Sequence, residues 1–140
     1  MEGNIILIAS WKRGFDVARA ASLLSDGPQT GYRLGAALYA GSNLLSIGCN
    51  NWNKTTPYSK NTEFNGNVHA EISCLVRRRH YDHSNNMILY ISRTTTNALR
   101  TESQDACSRP CTNCLNLIKI SGVRRIRFFN EQGEPTEIKL

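Results

Sequence analysis

The period of the apolar positions changes several times along the chain, and each change marks an element. Phe15, Ala18, Ala21 and Leu24 recur at helical spacing, which predicts a helix over 13–25, stopped by Asp26-Gly27-Pro28. Leu34 to Ala40 and Leu44 to Cys49 are apolar runs parted by Gly41-Ser42-Asn43, the pattern of two strands and a hairpin turn. Residues 50–67 are polar and read as a long loop. A second helix is predicted from about Val68 to Arg79, capped by Asn67, with Ile72, Leu75 and Val76 turned inward. Met87 to Ile91 reads as a buried strand, and residues 94–107 as another polar loop. Ser108 reads as a cap, and Pro110 as the first-turn proline of a third helix that carries Leu115, Leu117, Ile118 and Ile120 and stops at Gly122. Arg125 to Phe129 and Thr136 to Leu140 then alternate on either side of a turn at 131–135. So short a connection makes those two strands antiparallel, because a parallel crossover needs about a dozen residues or more. The order α-β-β-α-β-α-β-β describes an α/β domain with a five-stranded sheet and helices packed on it.

Length and charge narrow the class. At 140 residues the chain is long enough for one domain with a real core. Its only early apolar run, Ile5 to Ala9, is too short to span a bilayer, and no basic lead-in precedes it. A cytoplasmic protein with no membrane partner is the expectation. A net charge of +6 tilts towards an anionic partner, whether nucleotide or polynucleotide. Five cysteines, two of them in a C-x-x-C, favour metal or packing roles over a disulfide framework. Cys49 and Cys74 fall in apolar stretches and read as core; Cys107, four residues before Cys111, is a candidate loop thiol near a bound metal.

The chemistry is concentrated in two short segments. His69-Ala70-Glu71 is answered by Pro110-Cys111-Thr112-Asn113-Cys114, an H-x-E followed by P-C-x-x-C. His69, Cys111 and Cys114 supply three ligands for Zn²⁺, leaving a fourth position for water, as catalytic zinc requires. Both segments open predicted helices, where the dipole favours thiolates. Glu71, two residues past the His, is no ligand but stands where it can handle protons beside that water. Alone, a C-x-x-C or an H-x-E is weak; together, in this order, they are specific.

These residues resemble the cytidine and deoxycytidylate deaminase superfamily over roughly residues 13–140. Leu34-Gly35-Ala36-Ala37 is similar to its first-strand pattern, Gly48-Cys49-Asn50 to its G-x-N, Ser108-Arg109-Pro110-Cys111 to its S/T-x-P-C, and Ser121 to Ile126 to its glycine turn into the fourth strand. Lys54-Thr55-Thr56-Pro57 resembles a K-T-H-P segment with Thr56 in place of His. The resemblance implies a three-layer fold: a mixed sheet with a C-terminal antiparallel hairpin and helices on both faces. It implies a zinc-dependent hydrolytic deaminase that turns cytosine into uracil on a free pyrimidine nucleoside or nucleotide, with Glu71 as general acid and base. Asn50 and Ala70 are the implied substrate contacts, and a homo-oligomer is implied by analogy alone. The chain departs from most members in the length of residues 93–107, and it joins an H-A-E to a C-terminal hairpin that belongs to a different branch. Two other functions compete: a deaminase of single-stranded DNA or RNA, and a non-catalytic zinc module that binds nucleotides.

Other candidates flank the motifs. Arg93 and Arg109 bracket the loop before the C-x-x-C and suit a substrate phosphate, or else hold that loop through Glu102 or Asp105. Trp52 either stacks on a base or covers the core edge. Arg77-Arg78-Arg79-His80 reads as a helix end, His80 and His83 as surface residues, and Arg124, Arg125 and Arg127 as the solvent face of a strand.

Overall fold

Alternation along the longest strand sets the architecture. The computed structural model describes residues 2–25, 33–50, 70–77, 86–95, 104–106 and 108–140. Its strands are β1 (Arg33–Ala40), β2 (Asn43–Cys49), β3 (Met87–Thr95), β4 (Gln104–Ala106), β5 (Arg125–Phe129) and β6 (Pro135–Lys139). They form one mixed sheet ordered β2-β1-β3-β5-β6, with the short β4 on β3 beside that path. Only β3 and β5 run parallel among these pairs; β5 and β6 make the antiparallel hairpin that their short turn requires.

Three helices complete the described residues: α1 (Glu2–Ser22), α2 (Ala70–Arg77) and α3 (Thr112–Ile120). Met87, Leu89 and Ile91 of β3 join Ala36, Leu38, Ile126 and Phe128 beneath α2 and α3, which contribute Ile72, Cys74, Cys114 and Ile118. The intervening residues Ile88 and Tyr90 join Ala37, Tyr39 and Phe129 beneath Phe15 and Ala18 of α1. Helices therefore cover both faces of the sheet. Cys49 and Cys74 are buried, as their apolar surroundings suggest, and Cys107 lies outside the described residues.

Four sequence expectations change. First, α1 begins at Glu2, not near residue 13, and ends at Ser22. Helix propagation is cheap once a turn exists, so the Ile5 to Ala9 run extends the helix without needing amphipathic spacing. At the other end, Leu23, Leu24 and Ser25 close i→i+3 bonds to Ala20, Ala21 and Ser22, and Leu24 is left exposed. Second, β3 runs on to Thr95, and β4 pairs with it inside the segment read as loop. Polarity misleads there: Ser92 Oγ donates to Phe15 O at 3.2 Å, and the Thr94 and Ser22 hydroxyls bond at 2.6 Å, so these polar side chains are satisfied under α1. Third, Cys111 caps α3, which moves Pro110 outside the helix and leaves Ser108 a different task. Fourth, Arg127 is no solvent-face residue. Its guanidinium stacks on Trp11 at 4.6 Å and Tyr90 at 5.3 Å, bonds the Tyr90 hydroxyl, and meets Glu137 Oε2 at 2.8 Å.

The expected Asn67 cap, the polar loop from Asn51 onward with Lys54-Thr55-Thr56-Pro57, and Arg78 to His83 lie outside the described residues. No helix among those described is long and apolar enough to cross a membrane.

Gly35 explains how α1 comes so close. A Cβ on this residue would run into Ala18 O and Ser22 N, both backbone atoms of α1. Neither can swing aside. We therefore expect Gly35→Ala to lift α1 and cost about 1–3 kcal/mol, the usual penalty of overpacking, measured by urea unfolding. A variant as stable as the parent would show that the helix seat is looser than this contact implies.

Candidate active site

Both helices on one face start at the same end of the sheet. Across that end Asn50, Leu34, Arg93 and Ala106 fall in a single row from β2 through β1 and β3 to β4. Asn50 is held there by two bonds to Leu34: its N–H reaches Leu34 O at 3.1 Å, and its Oδ1 accepts from Leu34 N–H at 2.9 Å. In α/β sheets with parallel strands, ligands settle in the crevice beyond the carboxyl ends of those strands. Here those are the ends of β3 and β5.

α2 is seated by Gly48 of β2. A Cβ at this position would strike Cys74 N and lie 2.8 Å from Ala70 O, both α2 backbone atoms. Glycine thus lets the first turn of α2 rest directly on the strand. Ala70 is fully buried in the core cluster of that face, and Glu71 beside it is also buried. A carboxylate so removed from water keeps its place only with polar partners. Its charge lies near enough to act on the Cys114 thiol.

α3 brings the two cysteines. Cys111 is its N-cap, extended at φ −69° and ψ 164°, and its sulfur accepts from the Cys114 N–H at 3.4 Å. Cys111 is exposed and Cys114 fully buried, so the pair spans the boundary between core and surface. The spacing i, i+3 sets both on one side of the helix start.

The helix dipole alone would lower the Cys114 thiol. The surroundings do the opposite. A hydrogen bond with Cys111, burial, and the negative charge of Glu71 push it far above the ordinary thiol range. The two thiols are donors that suit a soft divalent cation, whose charge would ionise the sulfurs. Zinc fits that donor set. Among the described residues no group of three His, Cys, Asp or Glu side chains is arranged to hold a metal. Two of the three expected ligands are described. The third, His69, adjoins the first residue of α2 but lies outside the described residues, as does Trp52.

The arginines take different positions. Arg93 lies within β3, two residues before its end, and shares the face of Leu89 and Ile91 beneath α2 and α3. Arg109 is exposed; its guanidinium lies 5.0 Å over the Phe128 ring and 3.6 Å from Glu131. Its described acidic partner is thus on the β5–β6 turn. Two residues that matter were not legible as site residues: Gly48, which the sequence offers only as part of a G-x-N, and Ser108, which the spacing from Pro110 makes look like a cap.

Comparison with solved structures fixes the fold. The chain is similar to dCMP deaminase from the cyanophage S-TIM5 in its apo form, at 20% identity over 86% of this chain and 82% of that one, with a TM-score of 0.58. The same cyanophage enzyme in complex with dCMP and dUMP matches at 19% identity over 86% and 80%, TM-score 0.57. Cytidine deaminase from Burkholderia pseudomallei matches at 18% identity over 91% of both chains, TM-score 0.61. The fold is that of the cytidine and dCMP deaminases. No protein-family model matches the chain, and no curated protein matches its sequence. The cytidine-deaminase fold therefore rests on three-dimensional likeness, with Glu71, Cys111 and Cys114 collected where its two helix starts meet.

The raised Cys114 thiol has a consequence for stability. An unfolded chain gives up this proton near pH 9.0, whereas the folded metal-free protein retains it. The unfolded state is then favoured by ionisation, so metal-free protein should lose stability as pH rises above that value. Urea melts between pH 7 and 10, after chelation, should show the slope, and Cys114→Ser should flatten it. Identical slopes in both proteins would mean the thiol is not held protonated.

Proposed function

We propose that the protein is a hydrolytic deaminase that converts the cytosine of a free pyrimidine nucleoside or nucleotide into uracil. The observation that carries this reading is the buried Glu71, whose charge acts on the Cys114 thiol where two helices start together, on the cytidine-deaminase fold. A structural metal site has no use for such a carboxylate. His69, Cys111 and Cys114 would hold zinc, which when bound supplies Lewis acidity and lowers the pKa of a water from 15.7 to about 7.

The chain's own residues then do the proton work. Glu71 takes a proton from the attacking water and delivers it to the ring nitrogen next to the amino-bearing carbon. It takes the second proton and passes it to the amino group, which departs as ammonia while the carbonyl of uracil forms. Its burial keeps bulk water from competing for these protons. Asn50, fixed at the end of β2 by Leu34, stands in the same row as Arg93 and is the proposed sugar contact.

A phosphorylated substrate is the more specific version. One of the similar structures is a dCMP deaminase holding dCMP and dUMP. Arg109 is two residues from Cys111, and its stacking on Phe128 pre-orients the planar guanidinium that phosphate recognition uses. The exposed contact with Glu131 is weak enough to be exchanged for a phosphate.

The decisive experiment incubates zinc-loaded protein with cytidine, deoxycytidine, dCMP and single-stranded oligonucleotides and measures uracil product. Turnover of the free compounds supports the reading; turnover confined to oligonucleotides moves it to nucleic-acid editing, and none at all leaves a zinc-binding module. In the active case Glu71→Ala should keep zinc and fold yet lose about 10²–10⁴ or more in kcat. Retained activity would show that another group shuttles the protons.

Arg109→Ala should lower kcat/KM for dCMP by about tenfold or more and leave deoxycytidine almost unchanged, as loss of one charge-assisted contact predicts. Equal losses on both substrates would instead assign Arg109 to holding the segment before Cys111.

A further inference from the structure

We propose that Ser108 is a positioning residue for the Cys111 and Cys114 sulfurs: its hydroxyl locks the fork between β3 and β5 from which α3 departs. The inference rests on the function proposed above only in taking zinc as the ligand of that pair.

The fork is visible in the register. β3 and β5 pair from Ile88 to Tyr90 against Arg125 to Arg127, and there the ladder stops. Beyond it β3 pairs with β4 instead, Arg93 opposite Ala106. Between these two pairings Ile91 O and Phe129 N–H have no strand to close on each other, and a single residue inserts to serve both. Ser108 Oγ donates to Ile91 O at 2.8 Å and accepts from Phe129 N–H at 2.9 Å. Its own N–H reaches Phe129 O at 2.8 Å. The hydroxyl thereby uses its one proton and an acceptor site at once, tied to two strands. At 1% exposure, water has no access to replace it.

The short path from Ser108 to the sulfurs makes this bond matter for the site. Only Arg109 and Pro110 separate Ser108 from the cap of α3. Pro110 is buried and its ring fixes φ, so it passes on displacement with little slack. Arg109 anchors on Phe128, the neighbour of Phe129. Cys111 then begins α3, its carbonyl taking the Leu115 N–H at 2.8 Å and its sulfur the Cys114 N–H. A shift at the fork therefore moves both sulfurs together relative to Glu71, which α2 holds on β2 through an independent contact at Gly48.

The test compares Ser108→Ala with Ser22→Ala. Ser22 also loses a buried hydroxyl bond, to Thr94, but on the opposite face under α1. Zinc affinity is measured by competition with a chromophoric chelator, and amide hydrogen exchange is followed in the metal-free proteins. Ser108→Ala should weaken zinc binding by about tenfold or more, in line with loss of an outer support of metal ligands. It should also speed exchange at Cys114 and Leu115 at least as much relative to α1 amides. Ser22→Ala should leave both unchanged, and Ser108→Thr, which keeps the hydroxyl, should recover zinc affinity. If the alanine variant does not fold, Ser108→Cys, with a weaker donor and longer bonds, should give an intermediate loss. Zinc affinity and exchange in Ser108→Ala no different from those in Ser22→Ala would overturn the proposal. Should the parent protein take up no zinc, the proposed function falls, and exchange at Cys114 and Leu115 alone decides the role of Ser108.

Discussion

The candidate site depends on one close approach, that of the α2 backbone to Gly48. Two helix starts converge over the end of this sheet only because the strand beneath the first presents no side chain there. Any Cβ would hold the helix away from β2, and Glu71 would move with it. The second helix reaches the same place by another route, through the fork between β3 and β5 and the short segment from Ser108 to Cys111. Backbone contact fixes one partner and a hydroxyl bridge the other. Their meeting point is thus set by two separate pieces of the sheet.

The chemistry of that point arises from crowding. Helix starts attract negative charge, yet a buried carboxylate and two thiols resist carrying it together. Cys114 resolves the conflict in the metal-free protein by keeping its proton. Under the proposed function, a divalent cation held by the two cysteines would resolve it differently, by ionising their sulfurs.

Much of this was readable in the sequence, for physical reasons. The unbroken apolar run Leu34 to Ala40 marks a strand buried on both faces, the alternation of Arg125 to Phe129 marks another, and Gly41, Gly122 and the turn after Asn130 end elements where expected. The pairing of Glu71 with the C-x-x-C was legible because the chemistry dictates residue types. What escaped was polar but buried. Thr94 looks like a loop residue and Ser108 like a helix cap until their partners on α1, β3 and β5 are in place. Arg127 looks like a surface charge until Trp11, from the far side of the sequence, covers it. Local pattern reports exposure poorly when distant elements satisfy the polar group.

Arg127 also couples regions that are remote along the chain. One nearly buried guanidinium is shared by Trp11 of α1, Tyr90 of β3 and Glu137 of β6. Peeling away β6 would strip that cation of its carboxylate beneath α1, and detaching α1 would open it to water from the other side. Neither element can fray without weakening the hold on the other. The helix on one face and the last strand of the sheet consequently belong to a single cooperative unit, so local opening at this edge is bound to the unfolding of the layer above it.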